Sequence, residues 1–215
     1  MPVKNNEREY RNMRLEVREP VNGEDLEKRV VTGYASTFDE PYLLFSGEGW
    51  EFWEVVERNA FDKTDMDDVI MQYDHEGRVF ARTRNNTLSV KPDEKGLFIE
   101  ADLGGTEIGR ELYDEIRGGY TDRMSFGFTV NGELEEREKD ENGVVKYTRH
   151  ITSIGKLYDV SAVSIPANDG TSIGADAVSR SIGNLNDGVI ARIQAERLEE
   201  KRLETMKRLT LERLK

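Results

Sequence analysis

The chain contains no cysteine and only two histidines, His75 and His150. Without cysteine there is no disulfide and no thiolate metal site, which fits a reducing compartment. Histidine is the side chain that titrates near pH 7 unperturbed, so acid–base chemistry there has few places to live. Long apolar runs are missing as well. No stretch approaches the roughly 20 residues that a membrane helix needs, and the polar opening from Met1 to Arg18 shows no signal-peptide pattern. The expectation is a soluble intracellular protein without a membrane partner.

What is present is charge. Of 215 residues 34% are charged and 36% hydrophobic, enough for a core under a heavily ionised surface. The length suits one domain of about 150–180 residues and a tail. The net charge of −12 is uneven: from Arg192 to Lys215 eight Lys/Arg face five Glu, giving +3 and leaving −15 on the rest. An acidic body argues against nucleic acid as its partner. The basic tail suits an acidic one.

Turn and periodicity signals divide the chain. Val30 to Phe38, Trp50 to Val56 and Val69 to Tyr73 read as strands, the last delivering His75 at its end. Asp39 to Gly49 reads as a loop, with a helical turn around Asn59 to Asp62. Leu88 to Val90 and Leu97 to Leu103 flank a turn-rich connector, the pattern of a hairpin. Thr106 reads as an N-cap, with Ile108, Leu112 and Ile116 on one helical face and Gly118-Gly119 as the stop. Met124 to Val130, Val144 to Ser153 and Leu157 to Ile165 read as strands, with a hairpin at Asn142-Gly143. About eight short strands and few helices predict a mainly β (α+β) fold, a closed or nearly closed barrel of antiparallel or mixed strands. The division expected is a domain over 1–170, a linker over 171–188 and a charged helical tail over 189–215. There is no internal repeat.

Three residues stand out chemically. Ser125 lies in Arg123-Met124-Ser125-Phe126-Gly127-Phe128, a hydroxyl among large apolar residues with a glycine two positions on. A serine hydroxyl becomes nucleophilic when a base takes its proton, and His75 is the candidate base. By itself the segment also fits a serine packed on a sheet face. Asp159, in Leu157-Tyr158-Asp159-Val160-Ser161, is a carboxylate inside an apolar strand and needs a partner. That partner is either the imidazole or an arginine. His150 competes for the third position, though strand alternation puts it on a surface face. Two histidines 75 residues apart offer no zinc site. Asp65 to Asp68 lacks the EF-hand pattern, and Gly104-Gly105 lacks a phosphate-loop continuation, so no cofactor is expected.

Several segments in one order carry a resemblance. They are Gly33-Tyr34-Ala35-Ser36-Thr37-Phe38-Asp39, Ala60-Phe61, Asp74-His75, Gly96-Leu97, Met124-Ser125-Phe126-Gly127-Phe128 and Leu157 through Asn168. Over residues 14–170 the chain resembles the prohead (capsid maturation) serine proteases of tailed phages, of the HK97 type. The resemblance implies a β-barrel similar to the herpesvirus capsid-assembly proteases (assemblin-like). It also implies Ser125 as nucleophile, His75 as general base and Asp159 as the carboxylate orienting that base. Because the herpesvirus enzymes use a second histidine, His150 remains the alternative to Asp159.

The function implied is a serine endopeptidase in the host bacterial cytoplasm, inside the procapsid. It would cleave scaffold or major capsid protein segments, and itself, with no cofactor. A homodimer is the assembly the herpesvirus similarity suggests. Two competing readings are a catalytically inactive procapsid component and a small-ligand-binding barrel. The Ser125/His75 pair separates the first from an enzyme, and self-cleavage separates the second.

Overall fold

A computed structural model describes residues 8–17, 29–164 and 176–213. In chain order the strands are β1 (Glu9–Val17), β2 (Val30–Thr37), β3 (Tyr42–Gly47), β4 (Trp50–Val56), β5 (Ile70–Tyr73), β6 (Glu76–Arg82), β7 (Leu88–Pro92) and β8 (Gly96–Asp102). Helix α1 (Glu107–Arg117) precedes the two longest strands, β9 (Arg123–Lys139) and β10 (Val145–Val163), and α2 (Asp176–Arg213) follows them. Among the described residues the protein is mainly β with two α-helices. Contacts divide it into two compact units, residues 1–181 and 182–215, with every strand and α1 in the first.

The sheet runs β3-β4-β10-β9-β1-β2-β8-β7, with β5 pairing β10 and β6. Among the described residues no ladder joins β3 to β7, so the expected barrel closure is not what the pairing forms. The reason is strand length. Instead of many equal short strands, β9 and β10 run for 17 and 19 residues and serve as a spine. β10 pairs antiparallel with β9 from end to end. Its other edge takes two parallel partners in turn, β4 along 145–151 and β5 along 159–162. Register shifts between Ile151 and Asp159 fall between those partners. Bulges bend a strand and increase its twist, which lets one strand serve two neighbours.

Local signals explain the shorter elements. The β7–β8 hairpin places Val90 opposite Ile99, and Asp93 Oδ1 accepts from the Lys95 and Gly96 amides at 2.7 and 3.0 Å. Gly96 is obligatory, since a Cβ there would lie 1.9 Å from the Ser36 carbonyl oxygen. Thr106 caps α1 by accepting from the Gly109 amide at 3.1 Å, and Leu112 and Ile116 are buried. Met71, Leu97, Ile99, Phe126, Phe128 and Leu157 lie in one fully enclosed core. Each such side chain contributes about 1.5–3 kcal/mol by leaving water.

Three strands escape the sequence reading, β1, β3 and β6. The first buried side chain described in β1 is an ion, Arg11, so the strand opens on residues that read as polar surface ahead of the alternating Met13, Leu15 and Val17. Arg11 donates to Glu54 at 2.6 and 2.7 Å, and Arg149 to Glu9 at 2.6 and 2.8 Å and to Glu54 at 3.0 Å. The Tyr42 hydroxyl also donates to Glu54. Burial works to raise the pKa of Glu9, but the hydrogen bond from Arg149 and the charges of both arginines outweigh it, holding it at about 2. Burial pushes the Tyr42 hydroxyl well up, with the Glu54 charge adding to it.

The linker expected over 171–188 is corrected by α2, which is helical from Asp176; residues 171–175 lie outside the described residues. Val178, Ile182, Leu185, Val189 and Ile193 recur at helical spacing beneath the Ser/Gly/Asn composition that suggested a linker. No described helix is long and apolar enough to cross a membrane.

Candidate active site

Three adjacent strands place the predicted residues. In register, Ser125 of β9 faces Ser161 of β10, and Ser161 faces Gln72 of β5. Side chains alternate along a strand, so Ser125, Ser161 and Asp159 share one face. Met124, Phe126, Val160 and Ala162 point the other way, into the core. Gly127 stands opposite Asp159 and adds no side chain beside the carboxylate.

His75 reaches this face from a tight turn. Tyr73 pairs with Glu76, so Asp74 and His75 alone connect β5 to β6. Both have positive φ, 49° and 61°, a conformation that two-residue hairpins usually give to Asn-Gly. Holding a non-glycine residue there costs on the order of 1–3 kcal/mol and needs outside support. The support comes from the end of β10. The Asp74 amide donates to the Ala162 carbonyl at 2.8 Å. In return the Ser164 amide and hydroxyl donate to the two Asp74 carboxylate oxygens at 2.9 and 2.8 Å.

The turn sets His75 Nδ1 2.5 Å from Asp159 Oδ1, with both side chains almost wholly enclosed. A carboxylate accepts, so Nδ1–H donates and Nε2 is left as the basic nitrogen. The Ser161 hydroxyl donates to the same Asp159 oxygen at 2.7 Å. Ser125 is fully buried, and its Oγ has no hydrogen-bond partner among the described residues. The structure therefore joins His75 to Asp159 directly and puts Ser125 on the same face without a bond between it and the imidazole. Catalytic hydrogen bonds are often long before substrate binds.

His150 lies elsewhere. It pairs with Leu134, nine residues along β9 from Ser125. At ~3.3 Å per residue that is about 30 Å, far beyond the reach of a side chain. It lies between Glu57 at 3.6 Å and Glu136 at 3.7 Å, lining a cleft of about 560 Å³ with Asp39, Arg58 and Lys146. Asp159, for its part, meets an imidazole and a hydroxyl rather than an arginine among the described residues. No three His, Asp or Glu side chains among the described residues gather closely enough to hold a metal ion.

Sequence reasoning passed over Asp74, Ser161 and Ser164. For Ser161 a signal existed: it stands two residues from Asp159 on a strand, hence on the same face. For Asp74 and Ser164 there was none, since their contact joins positions 90 residues apart.

Comparison with curated proteins and with solved structures gave no match. The profile of the caudovirus prohead serine proteases does match, over residues 14–187. That span takes in the Asp74-His75 turn, Ser125 and Asp159 together with the strands that hold them, and it is well over half of the sequence: the chain belongs to the caudovirus prohead serine protease family.

Proposed function

We infer that this protein is a capsid-maturation endopeptidase with Ser125 as nucleophile, His75 as general base and Asp159 as the carboxylate that orients the base. One observation carries the reading: the hydrogen bond from His75 to Asp159 on the sheet face that also bears Ser125, in a chain of this peptidase family.

The chemistry follows from the atoms. Ser125 Oγ attacks the scissile carbonyl carbon while His75 Nε2 takes the hydroxyl proton. The tetrahedral intermediate collapses, the C–N bond breaks, and His75 returns the proton to the leaving amine. Water then attacks the acyl-enzyme with His75 again as base, releasing the acid and restoring the serine. Asp159 stabilises the imidazolium that forms in each half. No cofactor enters these steps. Because Ser125 is sealed from solvent, a peptide reaches it only when the residues covering it move.

The substrates are segments of the major capsid protein or scaffold, and the enzyme itself, inside the procapsid in the host bacterial cytoplasm. The basic stretch from Arg192 to Lys215 suits retention by an acidic partner in that shell. The test is mass spectrometry of wild type and Ser125→Ala, each incubated alone and with the capsid and scaffold proteins in assembled shells. Discrete fragments from wild type only are expected. Equal fragments from both proteins would contradict Ser125 as nucleophile, and intact masses in both would contradict the protease reading.

A further inference from the structure

A single oxygen of Asp159 takes two hydrogen bonds. Oδ1 accepts from His75 Nδ1 at 2.5 Å and from the Ser161 hydroxyl at 2.7 Å. Ser161 is completely buried. A hydroxyl in a dry interior is costly unless bonded, and an alanine would fill most of the same space without that cost. The backbone of Ser161 is fixed on both sides, by Gln72 on β5 and by Ser125 on β9. One residue thus sits directly across the ladder from the nucleophile and donates to the acid that orients the base.

We propose that Ser161 is a positioning residue of the peptidase site: its hydroxyl fixes the Asp159 carboxylate so that Oδ1 faces the imidazole. This rests on the assignment of Ser125, His75 and Asp159 made above. The terminal torsion of an aspartate is broad and roughly two-fold, so packing alone leaves the carboxylate plane loosely set. A second donor on the oxygen facing His75 selects one orientation. It also offsets part of the desolvation of a carboxylate that has left water. Ser161 touches neither substrate nor the reacting atoms in this role and acts only through Asp159.

The test uses a fluorophosphonate, which needs no knowledge of the natural substrate. Ser125 Oγ forms a bond to phosphorus as the P–F bond breaks, fluoride leaves, and the hydroxyl proton passes to His75. The maximal rate, kinact, reports on the base and its orientation, whereas KI reports on reagent binding. Full-length wild type, Ser125→Ala, Ser161→Ala, Asp159→Asn and the double variant Ser161→Ala/Asp159→Asn are compared.

The expected result is a kinact about 10- to 100-fold lower in Ser161→Ala, the loss of one hydrogen bond to a charged group, with KI unchanged. In the Asp159→Asn background the same change should cause little further loss, because its target is already gone. Ser161→Cys fills similar space with a weak donor and should fall between serine and alanine. Wild-type kinact in Ser161→Ala, or a full additional loss on top of Asp159→Asn, overturns the proposal while leaving the protease reading intact. Absence of labelling in wild type, or equal labelling of Ser125→Ala, overturns both and is told apart by those two proteins alone.

Discussion

Asp74 and His75 occupy successive left-handed positions, and the residues that pay for this strain are identifiable. Ser164 gives Asp74 two hydrogen bonds, and Ala162 accepts the Asp74 amide. Asp74→Ala removes both side-chain bonds and puts a residue poorly suited to positive φ in the turn. A stability loss of about 1–3 kcal/mol is expected, visible in urea unfolding. A larger relative loss is expected in the labelling rate of Ser125, since His75 depends on the turn for its aim. For the base pair itself, Asp159→Asn should lower activity by about 10⁴-fold through the wrong imidazole tautomer. His150→Ala should leave activity at the wild-type level. Equal damage from both in a cleavage assay would contradict the placement of His150 about 30 Å away.

Much of this site was legible residue by residue. The single apolar strand before His75, the boxed Ser125 and the carboxylate inside an apolar run all pointed to chemistry. The orienting contacts were not legible. Ser164 and Asp74 meet only because β5 lies parallel to β10, a pairing that no local pattern encodes. The separation of His150 from Asp159 likewise depends on register along β9, where His150 lies opposite Leu134 and Asp159 opposite Gly127.

At the scale of elements, the ionic cluster ties the first strand to the rest. Arg11 of β1 and Arg149 of β10 both donate to Glu54 of β4, which is wholly buried. Removing one member strands a buried charge, and such losses run to about 3–5 kcal/mol. Arg11→Ala should therefore destabilise strongly in chemical unfolding, and β1 should lose its amide protection first in hydrogen exchange. A change under 1 kcal/mol would mean that water replaces the guanidinium without difficulty. β1 went unread although Met13, Leu15 and Val17 alternate with Asn12, Arg14 and Glu16, because the strand opens on Glu9 and Arg11, charges that read as surface and that the cluster buries. β3 was hidden differently, its Tyr42 to Phe45 run being short and bounded by Pro41 and Gly47. α2 was shortened by reading composition ahead of spacing, since Gly183, Asn184 and Gly188 interrupt an apolar stripe that continues through them.

For the whole molecule, acid is the informative variable. The pKa of Glu9 is depressed from 4.5 to about 2 in the folded state. A depressed carboxylate contributes stability that is present above its unfolded value and is lost as pH falls through its folded one. Unfolding free energy should thus decline between about pH 4.5 and 2, by on the order of a few kcal/mol from this group. Glu9→Gln should flatten that decline; an unchanged slope would place the acid sensitivity elsewhere. The second unit, residues 182–215, offers a separate test. Deleting it should reduce incorporation into procapsids while sparing peptide cleavage, and equal loss of both would refute a retention role. The open sheet differs from the barrel that strand number suggested, because one 19-residue strand does the work of two shorter ones and changes partner halfway. Counting strands from turns cannot see a strand that continues through its bulges.

The role of Ser125 as nucleophile is read straight from the site of fluorophosphonate modification. Wild-type protein is treated with the reagent, digested, and sequenced by tandem mass spectrometry. One phosphonyl group on Ser125, absent from His75→Ala, is the predicted result. Modification at another serine, or none at all in protein within assembled procapsids, would contradict it.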